Sequence, residues 1–292
     1  MRRFDHSRIP SEPLFVLGAT SQFVGQALAV TLFDELRPGG TALLRVLGAA
    51  LMIVALRRSW RRRWTAAELR WASVFGVVLA AMNLAIYYSV ELVPLGNAVA
   101  IEFMGPVAVA ALGTRTVRSG AALALAAAGV AVLAGVETDG TLRGVGFALV
   151  AGAFWAGYIV LGHRVARGAA WVDGLGVGML VGALAISPFG IPHIPTAIRA
   201  PSLLGLALLV GLASNVIPYG LDQWVMRRID QRRFALLQAL APVTAAIVGF
   251  VGLSQVPTGR EYVGIGLVVV AIVLSRAASG PTQQPANPKG PP

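Results

Sequence analysis

Glu102 is the residue whose chemistry stands out. It lies about seven residues inside an apolar run, four before Pro106, in the stretch MNLAIYYSVELVPLGNAVAIEFMGPVAVAAL of residues 82–112. An ionisable side chain at such depth in a bilayer costs roughly 2.5–3.5 kcal/mol on insertion scales, so it marks a working site by default. Three roles follow from a lone buried carboxyl. It can take up and release a proton and so couple proton flow to movement of a solute. It can bind a substrate ammonium directly. It can instead pair with Arg45, which lies about one turn inside another apolar run.

Polar side chains recur at helical spacing elsewhere. Asn83 and Tyr87 are four apart and share a face, with Tyr88 on the adjacent strip. Asn215, Tyr219 and Asp222 follow i, i+4, i+7, Trp155 and Tyr158 are three apart, and Gln22 and Gln26 four apart. Amides, phenols and an indole facing inward can line a pocket for a small zwitterion. The same groups can equally tie helices together by hydrogen bonds. Asp222 sits near the end of its run, where a solvated cap is the expectation. Metal and nucleophile chemistry find no support: there is no cysteine, His6, His163 and His193 fall in tail and loops without ligand spacing, and neither a Walker A nor a Gly-x-Ser-x-Gly motif occurs. No cofactor is expected.

The elements that must position these groups are membrane spans. The 292 residues are 56% hydrophobic and only 13% charged, with a mean hydropathy of +0.72, about half the charge of a soluble domain. Ten runs approach the ~20 residues a bilayer-crossing helix needs: 14–33, 41–56, 72–90, 95–113, 118–135, 142–161, 174–190, 202–221, 234–253 and 261–276, the second and seventh being short. The formal charge of +11 is topological. Nineteen of the 24 basic residues fall in alternate connections and the two termini, against four in the intervening loops. That bias places both termini in the cytoplasm and argues against nucleic-acid binding. Ala27-Leu28-Ala29 imitates a cleavage site, but the apolar run continues past it, as in an uncleaved anchor.

The organisation is residues 1–13 as a cytoplasmic segment, 14–140 and 141–276 as two five-span halves, and 277–292 as a Pro- and Gln-rich disordered tail. Arg57 to Trp71 forms a basic, Trp-rich loop suited to anionic headgroups. Glu102-Phe-Met-Gly-Pro106 answers Gln238-Ala-Leu-Ala-Pro242 at an offset of 136, and Gly18-Ala-Thr-Ser answers Gly152-Ala-Phe-Trp155 at 134. A repeat of five spans must invert its second copy, an architecture of secondary transporters. Gln238, answering Glu102, joins the candidate site. The span glycines are read as packing positions, and Pro106, Pro218 and Pro242 as kinks whose freed carbonyls can line a cavity.

Gly40-Thr-Ala-Leu-Leu-Arg45, Met82-Asn83, Val93-Pro-Leu-Gly-Asn-Ala-Val-Ala-Ile-Glu102-Phe-Met-Gly-Pro-Val-Ala-Val and Phe154-Trp-Ala-Gly-Tyr-Ile159 resemble the drug/metabolite transporter superfamily. The likeness is to its EamA-type members, and among these to the threonine/homoserine exporter branch, over about residues 14–276. The resemblance implies an all-α membrane protein of ten transmembrane helices as two inverted five-helix repeats. It further implies a multi-pass inner (plasma) membrane location, a central cavity, and export by alternating access in exchange for protons. Small amino acids such as threonine or homoserine become candidate substrates. The implied partners are a small-molecule substrate, protons and membrane lipid, with a homodimer left open. Carried over by motif, Arg45, Asn83, Glu102, Trp155 and Tyr158 are site residues. The first span departs from the wider family, reading Thr20-Ser-Gln-Phe-Val-Gly25 in place of a Trp-Gly pattern, which leaves the solute open. An exporter of other hydrophilic metabolites or drugs is the alternative within transport, and a membrane-embedded enzyme or lipid scramblase the alternative from another class.

Overall fold

In the computed structural model the described residues are 11–112, 116–134, 141–229, 231, 234, 237–238 and 241–278, and the predicted apolar segments fall on helix wherever they are described. In chain order the helices are α1 (Ser11–Val30), α2 (Phe33–Arg57), α3 (Ala66–Val90), α4 (Leu95–Glu102), α5 (Met104–Leu112), α6 (Val117–Ala134) and α7 (Thr141–Ala166). They continue as α8 (Trp171–Gly190), α9 (Ile194–Arg199), α10 (Pro201–Gly211), α11 (Ile217–Met226), α12 (Ala241–Leu253) and α13 (Gly259–Ala278). Six segments are long and apolar enough to cross a membrane: Pro13–Val30, Phe33–Arg57, Ala66–Val90, Leu142–Ala166, Trp171–Arg199 and Pro201–Met226. Leu95–Val109, Gly120–Val132 and Thr244–Leu253 are shorter apolar helices. No strand occurs among the described residues. This is an all-helical, multi-pass membrane protein.

The structure corrects several boundaries. The second span is long, because the chain before residue 41 joins it through a kink at Arg37 (φ 52°) followed by Pro38. Arg45 therefore lies at the middle of α2, not one turn from its end. The fourth span breaks at Phe103. Pro106 has no N–H to give to the Glu102 carbonyl four residues back, so the ladder is interrupted beside the acid. Pro218 acts similarly on the eighth span. The helix widens into a π-turn at Leu212–Val216, and the Ala213 carbonyl accepts instead from Ser21 Oγ at 2.6 Å. The sixth span continues to Ala166, which puts His163 on helix and not in a loop. His163 is buried, its Nδ1 2.9 Å from the Ile159 carbonyl. Met1–Pro10 and residues 279–292 lie outside the described residues, and with them His6 and most of the tail; α13 itself reaches Ala278.

Packing brings α3 against α7 and α8, α2 against α8 and α10, α1 against α11 and α12, α4 and α5 against α7, α4 against α12, and α6 against α13. The tightest crossing needs glycine. A Cβ on Gly76 of α3 would lie 1.7 Å from the Gly178 carbonyl oxygen of α8. Gly76→Val must push the two backbones apart, and it is expected to lower the melting temperature of the detergent-solubilised protein by about 5 °C or more. Gly266→Ala, where an added Cβ meets nothing within 4 Å, is expected to leave it unchanged.

Candidate functional site

The middle of α2 presents Arg45 to α3, where Asn83 and Tyr87 occupy one face. Arg45 is fully buried. Its Nη1 donates to Tyr87 Oη and its Nη2 to Asn83 Oδ1, and its guanidinium carbon lies 4.5 Å from the Tyr87 ring centroid. Asn83 Nδ2 donates to the Leu79 carbonyl at 2.7 Å and to Tyr219 Oη on α11 at 3.0 Å. The Tyr219 ring packs 5.4 Å from that of Tyr158 on α7, whose ring also lies 5.5 Å from that of Phe75. Tyr158 Oη in turn donates to Asp222 Oδ2 at 2.9 Å. One polar network thus ties α2, α3, α7 and α11 together in the apolar interior.

Asp222 corrects the expectation of a solvated cap. It is buried, because α11 runs on to Met226 and the i+7 position stays on the inward stripe that already carries Asn215 and Tyr219. That spacing was the signal for it. Tyr158→Phe would strip the carboxyl of its hydrogen-bond donor. The expected loss is about 1–3 kcal/mol of stability, read by denaturant unfolding in detergent, with a smaller loss for Asp222→Asn, which keeps an acceptor.

Glu102 lies across from this network, at the last residue of α4. Gly152 of α7 lets the chain approach there: a Cβ on Gly152 would lie 2.6 Å from the Glu102 carbonyl oxygen. Beside it the Phe103 ring meets Trp155 edge-on at 5.5 Å. Glu102 is buried, and among the described residues no ion pair joins it to Arg45 or to any other cation. Of the three roles open to Glu102, pairing with Arg45 finds no support among the described residues, where the guanidinium is held by Asn83 and Tyr87.

Of the remaining candidates, Asn215, Gln26 and Gln238 are buried. Asn215 Oδ1 accepts from Ser214 Oγ at 3.3 Å, and its Nδ2 has no partner among the described residues. Gln26 Oε1 and Arg45 Nε are likewise buried and have no partner among the described residues. Gln238 is buried, with residues 239–240 outside the described set. Gln22 is only half-buried. The sequence reading missed Asn97 and Glu261, which are buried and hydrogen-bonded to each other between α4 and α13; an acid at the head of the last run was the only signal.

Comparison with known proteins follows the same lines. Residues 142–277 match the EamA-like transporter family. The chain is 33% identical over 252 residues to the threonine/homoserine exporter RhtA of Escherichia coli (strain K12) and to that of Salmonella typhimurium (strain LT2), spanning 85% of this chain and 84% of each relative. A protein of known crystal structure superposes with a TM-score of 0.62 at 21% identity, covering 92% of this chain and 98% of its own.

Proposed function

The chain belongs to the EamA-type drug/metabolite transporter family, and from that premise we propose that it exports small zwitterionic amino acids of the threonine or homoserine type by proton-coupled antiport. The observation that carries this reading is a buried arginine and a buried glutamate that form no ion pair among the described residues. A free amino acid carries both complementary charges. Its carboxylate suits the Arg45 guanidinium, held by the neutral oxygens of Tyr87 and Asn83, and its ammonium suits Glu102. Arg45 Nε and Asn215 Nδ2, without a partner among the described residues, supply further donors for a carboxylate, while Trp155, Tyr158 and Tyr219 wall the stem. Burial of these residues is in keeping with an occluded form of the proposed alternating-access cycle. Glu102 is the proposed coupling group, since one carboxyl that binds either a proton or an ammonium makes the two compete.

The proposed frame is ten transmembrane helices in two inverted five-helix repeats with both termini cytoplasmic. Reciprocal packing supports it. Exchanging the halves turns α3 on α7 into α10 and α11 on α1, α3 on α8 into α10 on α2, and α4 and α5 on α7 into α12 on α1. The pairs α2 with α8, α6 with α13 and α4 with α12 map onto themselves. Inverted repeats place the substrate at their interface, where Arg45 and Glu102 lie in the first half and Asn215 and Tyr219 in the second.

Competition of labelled-threonine counterflow in proteoliposomes tests the zwitterion. Threonine and homoserine are expected to compete, whereas threoninamide and N-acetylthreonine, each lacking one charge, are not. Equal competition by either analogue overturns the two-charge reading.

A further inference from the structure

Four buried side-chain atoms around the π-turn have no hydrogen-bond partner among the described residues: Gln26 Oε1 on α1, Thr41 Oγ1 and Arg45 Nε on α2, and Asn215 Nδ2 on the π-turn itself. All four residues are 4% exposed or less. An unmet donor or acceptor in an interior costs more than the missing bond would contribute, so folded proteins rarely keep one without a use. The packing sets the four in one region. Ser21 Oγ donates to the Ala213 carbonyl at 2.6 Å, and a Cβ on Gly25 would lie 2.6 Å from Ser214 Cβ, so the turn of α1 that carries Gln26 lies against the π-turn. A Cβ on Gly48 would lie 2.7 Å from Leu208 Cδ2, and one on Gly211 2.7 Å from the Arg45 carbonyl oxygen. One turn back along α2 is Thr41, one turn on from Gly211 is Asn215, and α2 packs on the π-turn. Thr41 lacks a partner for a local reason. A helical threonine ordinarily donates to the carbonyl four residues back, and that residue is Arg37, whose φ of 52° lies outside the helix.

Arg45 Nε and Asn215 Nδ2 are donors and suit the solute carboxylate. Gln26 Oε1 is an acceptor, and the Thr41 hydroxyl can give or take a hydrogen bond. A carboxylate offers Gln26 Oε1 no proton, and the ammonium is assigned to Glu102, which leaves a hydroxyl as the complementary group. Resting on the amino-acid reading above, we propose that Gln26 and Thr41 form a subsite for a hydroxyl on the side chain of the transported amino acid and so determine which amino acids the carrier accepts. Gln26 takes the hydroxyl proton and Thr41 donates to the hydroxyl oxygen, while Arg45 and Asn215 hold the carboxylate. A site built to hydrogen-bond a hydroxyl rejects the analogue that lacks it, because its buried polar groups are then left unmet. A buried water can meet the same two groups, and a deoxy solute separates the two sources.

2-Aminobutyrate is the deoxy counterpart of both threonine and homoserine, so its competition against labelled-threonine counterflow in proteoliposomes isolates the hydroxyl. The wild type is expected to favour unlabelled threonine over 2-aminobutyrate by about tenfold or more. Gln26→Met and Thr41→Val keep the shape of each side chain and remove its polar atoms, and each is expected to reduce that ratio to about threefold or less. A merely structural role would lower competition by both solutes and leave the ratio standing. Equal competition in the wild type would assign the two groups to water and overturn the subsite alone, as would a ratio undiminished in both variants. Competition by neither solute in the wild type would overturn the amino-acid reading and the subsite with it. Thermal unfolding of the full chain in detergent, without solute, is the second measurement. Each variant removes a buried group that lacks a partner, so the melting temperature is expected to hold or to rise by up to about 3 °C. A fall of about 5 °C or more in both variants would make Gln26 and Thr41 structural ties and overturn the proposal.

Discussion

Glu102→Gln is expected to abolish the response of transport to a pH gradient. The amide keeps the shape of the carboxyl and loses both its charge and its proton. In proteoliposomes, gradient-driven accumulation of labelled threonine should fall by about 100-fold, the worth of one charge-assisted interaction of roughly 1.5–3 kcal/mol. The flat pH profile of what remains is the sharper readout, because a merely structural glutamate would lower activity without flattening it. Exchange of labelled for unlabelled amino acid separates the two roles of the carboxyl. Surviving exchange marks a pure proton carrier, and lost exchange marks a group that also holds the ammonium. Wild-type pH dependence in the variant would remove Glu102 from the mechanism.

The second large effect is at Arg45. Arg45→Met removes the guanidinium that Tyr87 and Asn83 hold, leaving Asn83 Oδ1 and the Tyr87 hydroxyl, both buried, without its donors. The expected cost is about 1–3 kcal/mol in stability, measured by thermal unfolding in detergent. On the proposed function, the KM for amino-acid counterflow should also rise by about 100-fold, because the substrate carboxylate loses its cation. Arg45→Lys restores the charge, but one ammonium cannot reproduce the planar fork that reaches two acceptors. It is expected to recover most of the stability and little of the affinity. Full recovery of counterflow with lysine would show that charge alone matters there, and wild-type counterflow in Arg45→Met would end the carboxylate role.

Much of this arrangement is legible in the sequence, and the rest fails for identifiable reasons. Apolar runs report spans directly, because lipid demands length and hydrophobicity together, so even the short second and seventh runs mark helices. The i, i+4 spacing of Asn83 and Tyr87 and the stripe from Asn215 to Asp222 correctly group side chains that share a face. Periodicity does not say how far a helix extends into a polar connection. Phe33–Gly39 joins α2 through a Pro38 kink, and that shifts Arg45 from the edge to the centre. It also does not say which faces meet. The partner of Arg45 depends on the lateral packing of α2 on α3, and the Tyr158–Asp222 bond on the meeting of α7 with α11. Prolines are the most informative single letters. Pro106 predicts the break beside Glu102, and Pro218 the widened turn before Tyr219, although neither tells which hydroxyl will take the freed carbonyl.

The most direct test of proton-coupled amino-acid export is uptake of labelled threonine and homoserine into proteoliposomes of the wild-type protein, with and without an imposed pH gradient. The account predicts saturable counterflow without the gradient and accumulation above the external concentration with it, abolished by a protonophore. Saturable counterflow that ignores the gradient would contradict the coupling, and no uptake of either amino acid by folded protein would contradict the substrate class.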